Sequence, residues 1–263
     1  MKLFDAHNHL QDVRLLPHRA EIFQSLEQIG FAGAVVNGTR ESDWPAVAEL
    51  AAADVRQVPS FGLHPWYVVE RSSNWMAALV GKLDAHPQSA IGEIGLDRWV
   101  KGHDLDVQRA AFIPQLELAA ARNRPATIHC LRAWGALWDI IREHPLPARG
   151  FLLHAYGGPA EMAAGFLDRG AYFSFSAYFL HERKAAQREF FKTLPADRLL
   201  IETDAPDMSP PPEHNAHLLA DGALNHPANL ALAFAALCEL RELAPDILAA
   251  QLEANFARLF LSS

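Results

Sequence analysis

The sequence predicts an α/β fold, a (β/α)8 TIM barrel with extra C-terminal helices. Two observations predict it. Eight short apolar runs, each closed by glycine, proline or a polar cluster, have the character of parallel strands buried on both faces. Between them lie segments with helical periodicity, and strands that alternate with helices wind into a parallel sheet. A third observation concerns the run ends. Several finish in histidine, glutamate or aspartate, at the rim where barrels of this kind carry their chemistry.

In chain order the runs are KLFDAH (2–7), FAGAVVNG (31–38), VPSFGLHP (58–65), SAIGEIGLD (89–97), PATIHC (125–130), RGFLLHAY (149–156), AYFSFSAY (171–178) and RLLIETDAP (198–206). The expected helices are 19–29 with Gly30 as C-cap, 42–53 with Ser42 as N-cap, 105–123, 133–144, 160–169 and 181–193. Two further helices, near 228–243 and 245–260, would close the C-terminal side. The stretch 205–227, rich in proline, asparagine and histidine, reads as a long loop over the barrel mouth, and loops of that length usually carry function or move. The chain of 263 residues has the length of a single barrel, so 1–263 is expected to be one domain.

Composition narrows the function classes. A net charge of -8 and no basic stripe argue against tight, non-specific binding of duplex DNA, though not against a short polyanion held through metal ions. No apolar stretch is long enough to span a membrane, and the first residues lack the pattern of a secretion signal. Only two cysteines, Cys130 and Cys238, are present, without a CxxC pair, so a disulfide framework is not expected and a cytoplasmic location is. Nothing indicates an obligate protein partner.

The first run poses the chemical question, because Asp5, His7 and His9 recur at every second position. Residues two apart on a strand share a face, so His7 and His9 should aim into the barrel together. His129, His154, Glu93 and Asp204 end other strands, which gives six convergent candidates for metal ligation. One catalytic metal takes three or four protein ligands, so six suit two ions sharing a carboxylate. Glu93 is assigned as that bridge, with His7, His9, Glu93 and Asp204 around the first ion and Glu93, His129 and His154 around the second. Two such ions activate a water for an in-line displacement, and Asp204 is placed to take its proton. Asp204 and Glu93 are therefore the candidate catalytic residues. Imidazole and carboxylate together favour a transition metal (zinc, manganese, nickel or cobalt) over magnesium.

Other residues carry weaker readings. His64, in GLHPW, faces the mouth and could donate to a substrate phosphate oxygen or anchor its loop; the first is preferred. Glu202 either points outward or tunes a ligand. Trp66, Trp99, Tyr156 and Tyr178 lie just past strand ends, where they could stack on a base or sugar or simply pack a loop. Cys130 is read as packing, and His86 and His144, each before a proline, as helix caps. His18, His103, His181, His214 and His217 are read as solvent-facing.

The ordered set DAHNHL, GLHPW, GEIGLD, TIHC, HAYGG and ETDAP, with NFARLF near the end, resembles the TatD family of metal-dependent hydrolases within the amidohydrolase superfamily. The resemblance spans nearly the whole chain. It implies a barrel, a divalent metal centre and hydrolysis, with deoxyribonuclease activity that trims DNA from 3′ to 5′. Residue by residue it implies metal ligation by His7, His9, Glu93, His129, His154 and Asp204 and a substrate-side role for His64. The sequence departs from the family pattern at the mouth. NHP (225–227) places His226 where an acid is common, LDRW (96–99) follows the fourth strand, and CLRAW (130–134) leaves Arg132 to supply a substrate-binding cation displaced by one position. The expected function is thus a phosphodiesterase acting on nucleic-acid ends or another phosphoester, with a C–N hydrolase of amidase or deaminase type as the alternative. A metal-holding protein without catalysis is disfavoured, because Asp204 would then have no task.

Overall fold

The structure is a computed structural model that describes residues 1–102, 104–219, 222 and 224–261; His103 lies outside them. Eight parallel strands follow one another around a single sheet in chain order: β1 Leu3–Asn8, β2 Phe31–Asn37, β3 Gln57–Phe61, β4 Ala90–Asp97, β5 Ala126–Leu131, β6 Phe151–Leu153, β7 Ala171–Ser176 and β8 Leu199–Glu202. The ring closes where β8 meets β1, through Asp204 N–H donating to His7 O (2.9 Å) and His9 N–H donating to Ala205 O (2.8 Å). The strands are buried along nearly their full length, as expected when helices cover the outside and side chains fill the inside.

The helices are α1 Arg19–Gln28, α2 Trp44–Ala53, α3 Trp75–Ala85, α4 Leu105–Ala121, α5 Trp134–Glu143, α6 Ala163–Asp168, α7 Ala185–Thr193, α8 Leu230–Arg241 and α9 Pro245–Phe256. The sequence reading omitted α3. Its first turns, Trp75 to Val80, are apolar without interruption, so the 3.6-residue contrast that marks a helix is faint there. With α3 in place, α8 becomes the eighth barrel helix and α9 is the extra one. The expected helices at 160–169 and 181–193 each open with a short 3-10 turn before α6 and α7. Helix α2 begins at Trp44, with Asp43 rather than Ser42 as its cap residue, and the Asp43 carboxylate turns back to accept from Thr39 N–H and Oγ1–H. His86 and His144 do sit at the C-caps of α3 and α5.

The barrel interior is layered. Ala6, Val35, Val58, Ala90, Leu152, Tyr172 and Leu200 form an apolar floor, sealed from below by Phe256, Leu259 and Phe260 after α9; Phe4 stacks on Phe256 with centroids 4.8 Å apart. Two residues further along their strands, Leu152 gives way to His154 and Leu200 to Glu202, so the same inward face changes from apolar to polar toward the mouth.

Gly95, between the Glu93 and Asp97 side chains, has φ +147°, and a Cβ there would lie 1.9 Å from the carbonyl oxygen of His129 on β5. Gly95→Ala is expected to destabilise the protein by at least about 1–3 kcal/mol, the usual cost of overpacking against backbone that cannot move aside. Thermal unfolding monitored by circular dichroism checks it.

Candidate metal centre

At the mouth the structure brings together all six residues expected to ligate metal, and His64 with them. Glu93 lies at their middle, 3 % exposed. Its Oε2 is 3.4 Å from His7 Nε2 and 3.3 Å from His9 Nε2. Its Oε1 is 2.9 Å from His154 Nε2, 3.0 Å from His129 Nδ1 and 3.4 Å from His64 Nε2. One carboxylate thus faces two groups of imidazoles, one with each oxygen. Asp204 Oδ1 completes the first group, 3.3 Å from His7 Nε2 and 3.4 Å from His9 Nε2. The stacked rings of His7 and His154, 4.0 Å between centroids, join the two sides.

Chain geometry explains the convergence. The pairing of β1 with β2 shifts register between Asp5 and Asn8, and that of β4 with β5 shifts between Ile91 and Ile94. Simple alternation therefore fails just where His7 and Glu93 turn inward. Asp5, spaced like a ligand, is not one. It accepts from Thr203 Oγ1–H (2.6 Å), Thr203 N–H, Asn8 Nδ2–H and His7 N–H, binding the ends of β1 and β8 together. Burial pushes its carboxyl up to about 7, against the pull of those donors. Asp204 itself has φ +55°, and Arg132 and Ala155, just past β5 and β6, are also left-handed. Such strain, about 1–3 kcal/mol per residue, gathers where side chains must be aimed.

A second layer orients the imidazoles. His9 Nδ1 donates to Asn37 O (2.7 Å), which leaves the lone pair of the neutral ring on Nε2, facing the centre. His129 Nε2 donates to Asp97 Oδ2 (3.0 Å), which leaves its lone pair on Nδ1, again facing the centre. The lone pair of His9 then faces Glu93 Oε2 and Asp204 Oδ1, and that of His129 faces Glu93 Oε1. That arrangement repels itself unless a cation or added protons lie among the atoms, so the donor set fits metal ions.

The electrostatics agree. Burial works to raise the Glu93 carboxyl, but His64, His154 and His7 overcome it and hold it well below the usual range. Burial likewise opposes charge on His9 and His154, yet the carboxylates of Asp204 and Glu93 hold His9 high, and Glu93 and Glu202 hold His154 high. His64 differs: burial pushes it down to about 4 despite Glu93 beside it. His64 Nδ1 accepts from Trp66 N–H (3.2 Å), so the neutral ring carries its proton on Nε2.

Several placements correct or extend the sequence reading. Glu202 points inward, fully buried; its Oε2 accepts from Ser174 Oγ–H (2.5 Å) and its Oε1 lies 3.7 Å from His154 Nδ1. The tuning role fits and the outward one does not. Tyr156 is wholly buried and donates to Pro159 O, so it packs a loop; Tyr178 is tied up with Arg183. Cys130 packs in the core. His226 is buried and caps a 3-10 turn, with Nδ1 accepting from Ala228 N–H (2.9 Å). His214 is exposed, whereas His18, His181 and His217 are half-buried, and His181 Nε2 reaches Ser209 O (3.2 Å). Arg132 is exposed at the rim and makes no hydrogen bond or ion pair among the described residues.

Sequence reasoning missed Asp97, Gln108 and Gln115. Asp97 is fully buried and holds His129; their mutual bond and the Trp66 indole keep its carboxyl down at about 2 despite burial. Gln108 Oε1 accepts from Asp97 N–H and its Nε2 donates to Asp97 O, each at 2.8 Å. One heptad on along α4, Gln115 Oε1 accepts from Leu63 N–H (2.7 Å), next to His64. The signal was two glutamines seven apart on a face otherwise apolar.

The chain matches the family model described as "TatD related DNase" over residues 4–261. The protein belongs to the TatD family. The uncharacterized metal-dependent hydrolase YjjV of Escherichia coli K12 is 29% identical over 98% of both chains. The 3'-5' ssDNA/RNA exonuclease TatD of Citrobacter koseri is likewise 29% identical over 98% of both. The crystal structure of YjjV superposes with a TM-score of 0.90 at 28% identity, covering 99% of this chain and 98% of that one. A TatD family protein from Entamoeba histolytica shares the fold with a TM-score of 0.87 at 17% identity, over 99% and 98% of the two chains. The TatD-type barrel and its histidine and carboxylate groups make this protein a metal-dependent hydrolase. No helix among the described residues is long and apolar enough to cross a membrane.

Asp97→Asn should lower affinity for zinc or manganese by about 10–100-fold, the scale seen when a group that orients a ligating histidine is lost. Calorimetric metal titration checks it, with thermal unfolding of the variant run alongside.

Proposed function

We propose that this protein is a phosphodiesterase that removes nucleotides from the 3′ end of single-stranded nucleic acid, using two divalent cations held on either side of Glu93. The observation that carries the proposal is the split of the Glu93 carboxylate, with Oε2 toward His7 and His9 and Oε1 toward His129 and His154. His7, His9, Glu93 and Asp204 would hold one ion and Glu93, His129 and His154 the other. A transition metal suits this mixture of nitrogen and oxygen ligands better than magnesium. Bound there, the ions would supply Lewis-acid polarisation of the phosphoryl oxygens and a lowered water pKa. The exonuclease names of relatives such as the C. koseri protein support the choice of substrate.

The chain's own residues divide the remaining work. Asp204 Oδ1 faces His7 and His9, and its Oδ2 takes no hydrogen bond among the described residues. Oδ2 is therefore the atom that accepts the proton of the attacking water. As the new oxygen–phosphorus bond forms and the bond to the 3′ oxygen breaks, Asp204 returns that proton to the departing oxygen. His64 Nε2–H, at the same mouth, donates to a phosphoryl oxygen. Arg132 at the rim supplies a cation for the next phosphate. Residues 1–263 act as one catalytic domain. A cytoplasmic location is in keeping with two buried, unpaired cysteines.

Purified protein should carry one to two equivalents of transition metal by elemental analysis, about the capacity of the paired site. Asp204→Asn should retain most of that metal and lose at least about 100-fold in kcat; near-normal turnover would remove Asp204 from the role of base. Assayed against bis(p-nitrophenyl) phosphate, short single-stranded oligonucleotides and a panel of amides and lactones, the protein should turn over the phosphoesters. Turnover of amides alone would transfer the site to C–N hydrolysis.

A further inference from the structure

Next to the metal centre, outside the ring of ligands, lies a cavity of about 440 Å³ lined by Trp66, Trp99, Val100 and Lys101. Its volume falls within the range of small-molecule sites. Large aromatic rings are normally turned inward, yet Trp66 is 41 % exposed and Trp99 56 %. Their ring centroids are 6.3 Å apart and the planes are inclined by 31°. Two indole faces thus look onto one opening.

Both tryptophans are fixed by the carboxylate that orients His129. Trp66 Nε1–H donates to Asp97 Oδ2 (2.7 Å), and the backbone N–H of Trp99 donates to Asp97 Oδ1 (2.5 Å). The polar edge of Trp66 is thereby satisfied, and only the flat π surface is left to a ligand. The Trp66 ring also stands edge-on to His64 at 5.2 Å, and His64 stands edge-on to His129 at 4.5 Å. The aromatic opening is one imidazole removed from the cluster around Glu93. Lys101, exposed on the same wall, makes no ion pair among the described residues.

We infer that Trp66 and Trp99 form a base-binding subsite, in which the nucleobase beside the scissile phosphate stacks on the indoles while its phosphate faces His64 and the metal centre. This rests on the phosphodiesterase reading and deepens it, since it names what the site holds besides phosphate. A flat, charge-free heterocycle tethered one sugar from an anion matches the arrangement: π faces in the cavity, a proton donor and the proposed metal centre next to it, and a lysine at the outer edge. Stacking reads every base alike, so the subsite would grip the strand without a sequence preference. Neither tryptophan enters the chemistry; both position the substrate.

The test uses the metal-loaded protein and two ligands that cannot be cleaved further, dAMP and 2-deoxyribose 5-phosphate, which differ only in the base. Calorimetry should show dAMP binding at least about 5-fold more tightly, the lower end for one base stacked on an aromatic ring. Trp99→Ala keeps the backbone N–H that reaches Asp97. It should weaken dAMP by about 5- to 150-fold, leave the base-free ligand within twofold and leave metal content unchanged. Trp99→Phe should restore most of the dAMP affinity, since it returns a π face. Equal binding of the two ligands by the unaltered protein, or a parallel loss of both in Trp99→Ala, overturns the subsite. Base discrimination without oligonucleotide cleavage would sink the phosphodiesterase reading and leave the subsite standing. Cleavage without discrimination would do the reverse.

Discussion

Everything at the mouth of this barrel depends on one buried carboxylate. Glu93 is nearly inaccessible to solvent, and an unpaired charge at such depth is prohibitive. It is sustained because five imidazoles approach its two oxygens, each within 3.4 Å. The imidazoles in turn repel one another once they lose their protons. His7 and His9 present Nε2 atoms 3.3 Å apart, and His129 and His154 present nitrogens 3.2 Å apart. Positive charge at these positions relieves both conflicts. The centre is thus suited to hold cations.

The same constraint explains the second layer. A ligating imidazole usually gives its other nitrogen to a hydrogen-bond acceptor, which fixes the ring. Asn37 O serves His9, Asp97 serves His129, and Glu202 lies behind His154. These acceptors come from three different strands, so ligand orientation is a property of the closed barrel rather than of any one element. Helix α4 reinforces it from outside, with Gln108 and Gln115 fastening the chain at Asp97 and beside His64. Asp5 fastens the β1–β8 seam, where His7, His9 and Asp204 emerge. Residues that touch no substrate thereby position those that would.

Asp97 links this layer to the surface. Its two oxygens serve the His129 imidazole, an indole N–H and the backbone of the loop that presents Trp99. A metal centre alone polarises a phosphate without choosing its bearer. Aromatic faces set at a fixed distance from that centre add the means to recognise what the phosphate is attached to. The family motif GLHPW and the departure from it at LDRW meet at this place, which neither reveals by itself.

The sequence by itself determined the strand order, the barrel and which histidines and carboxylates gather at its mouth. Apolar runs and their polar residues are local patterns, and His7, His9, Glu93, His129, His154 and Asp204 lie within or just past five of them. The chain order also told which residues would share a rim, because consecutive parallel strands in a barrel all end on one side. Helix α3 escaped because an unbroken apolar stretch has no periodic contrast. Tertiary structure alone decided the rest. Asp5 and His7 share a sequence spacing and part company through a register shift, Glu202 turns inward to Ser174, and Asp97 is fixed by partners 11 and 32 residues away. Side-chain direction at a shifted strand end and a hydrogen bond across the barrel depend on where other strands lie, and no local pattern encodes that.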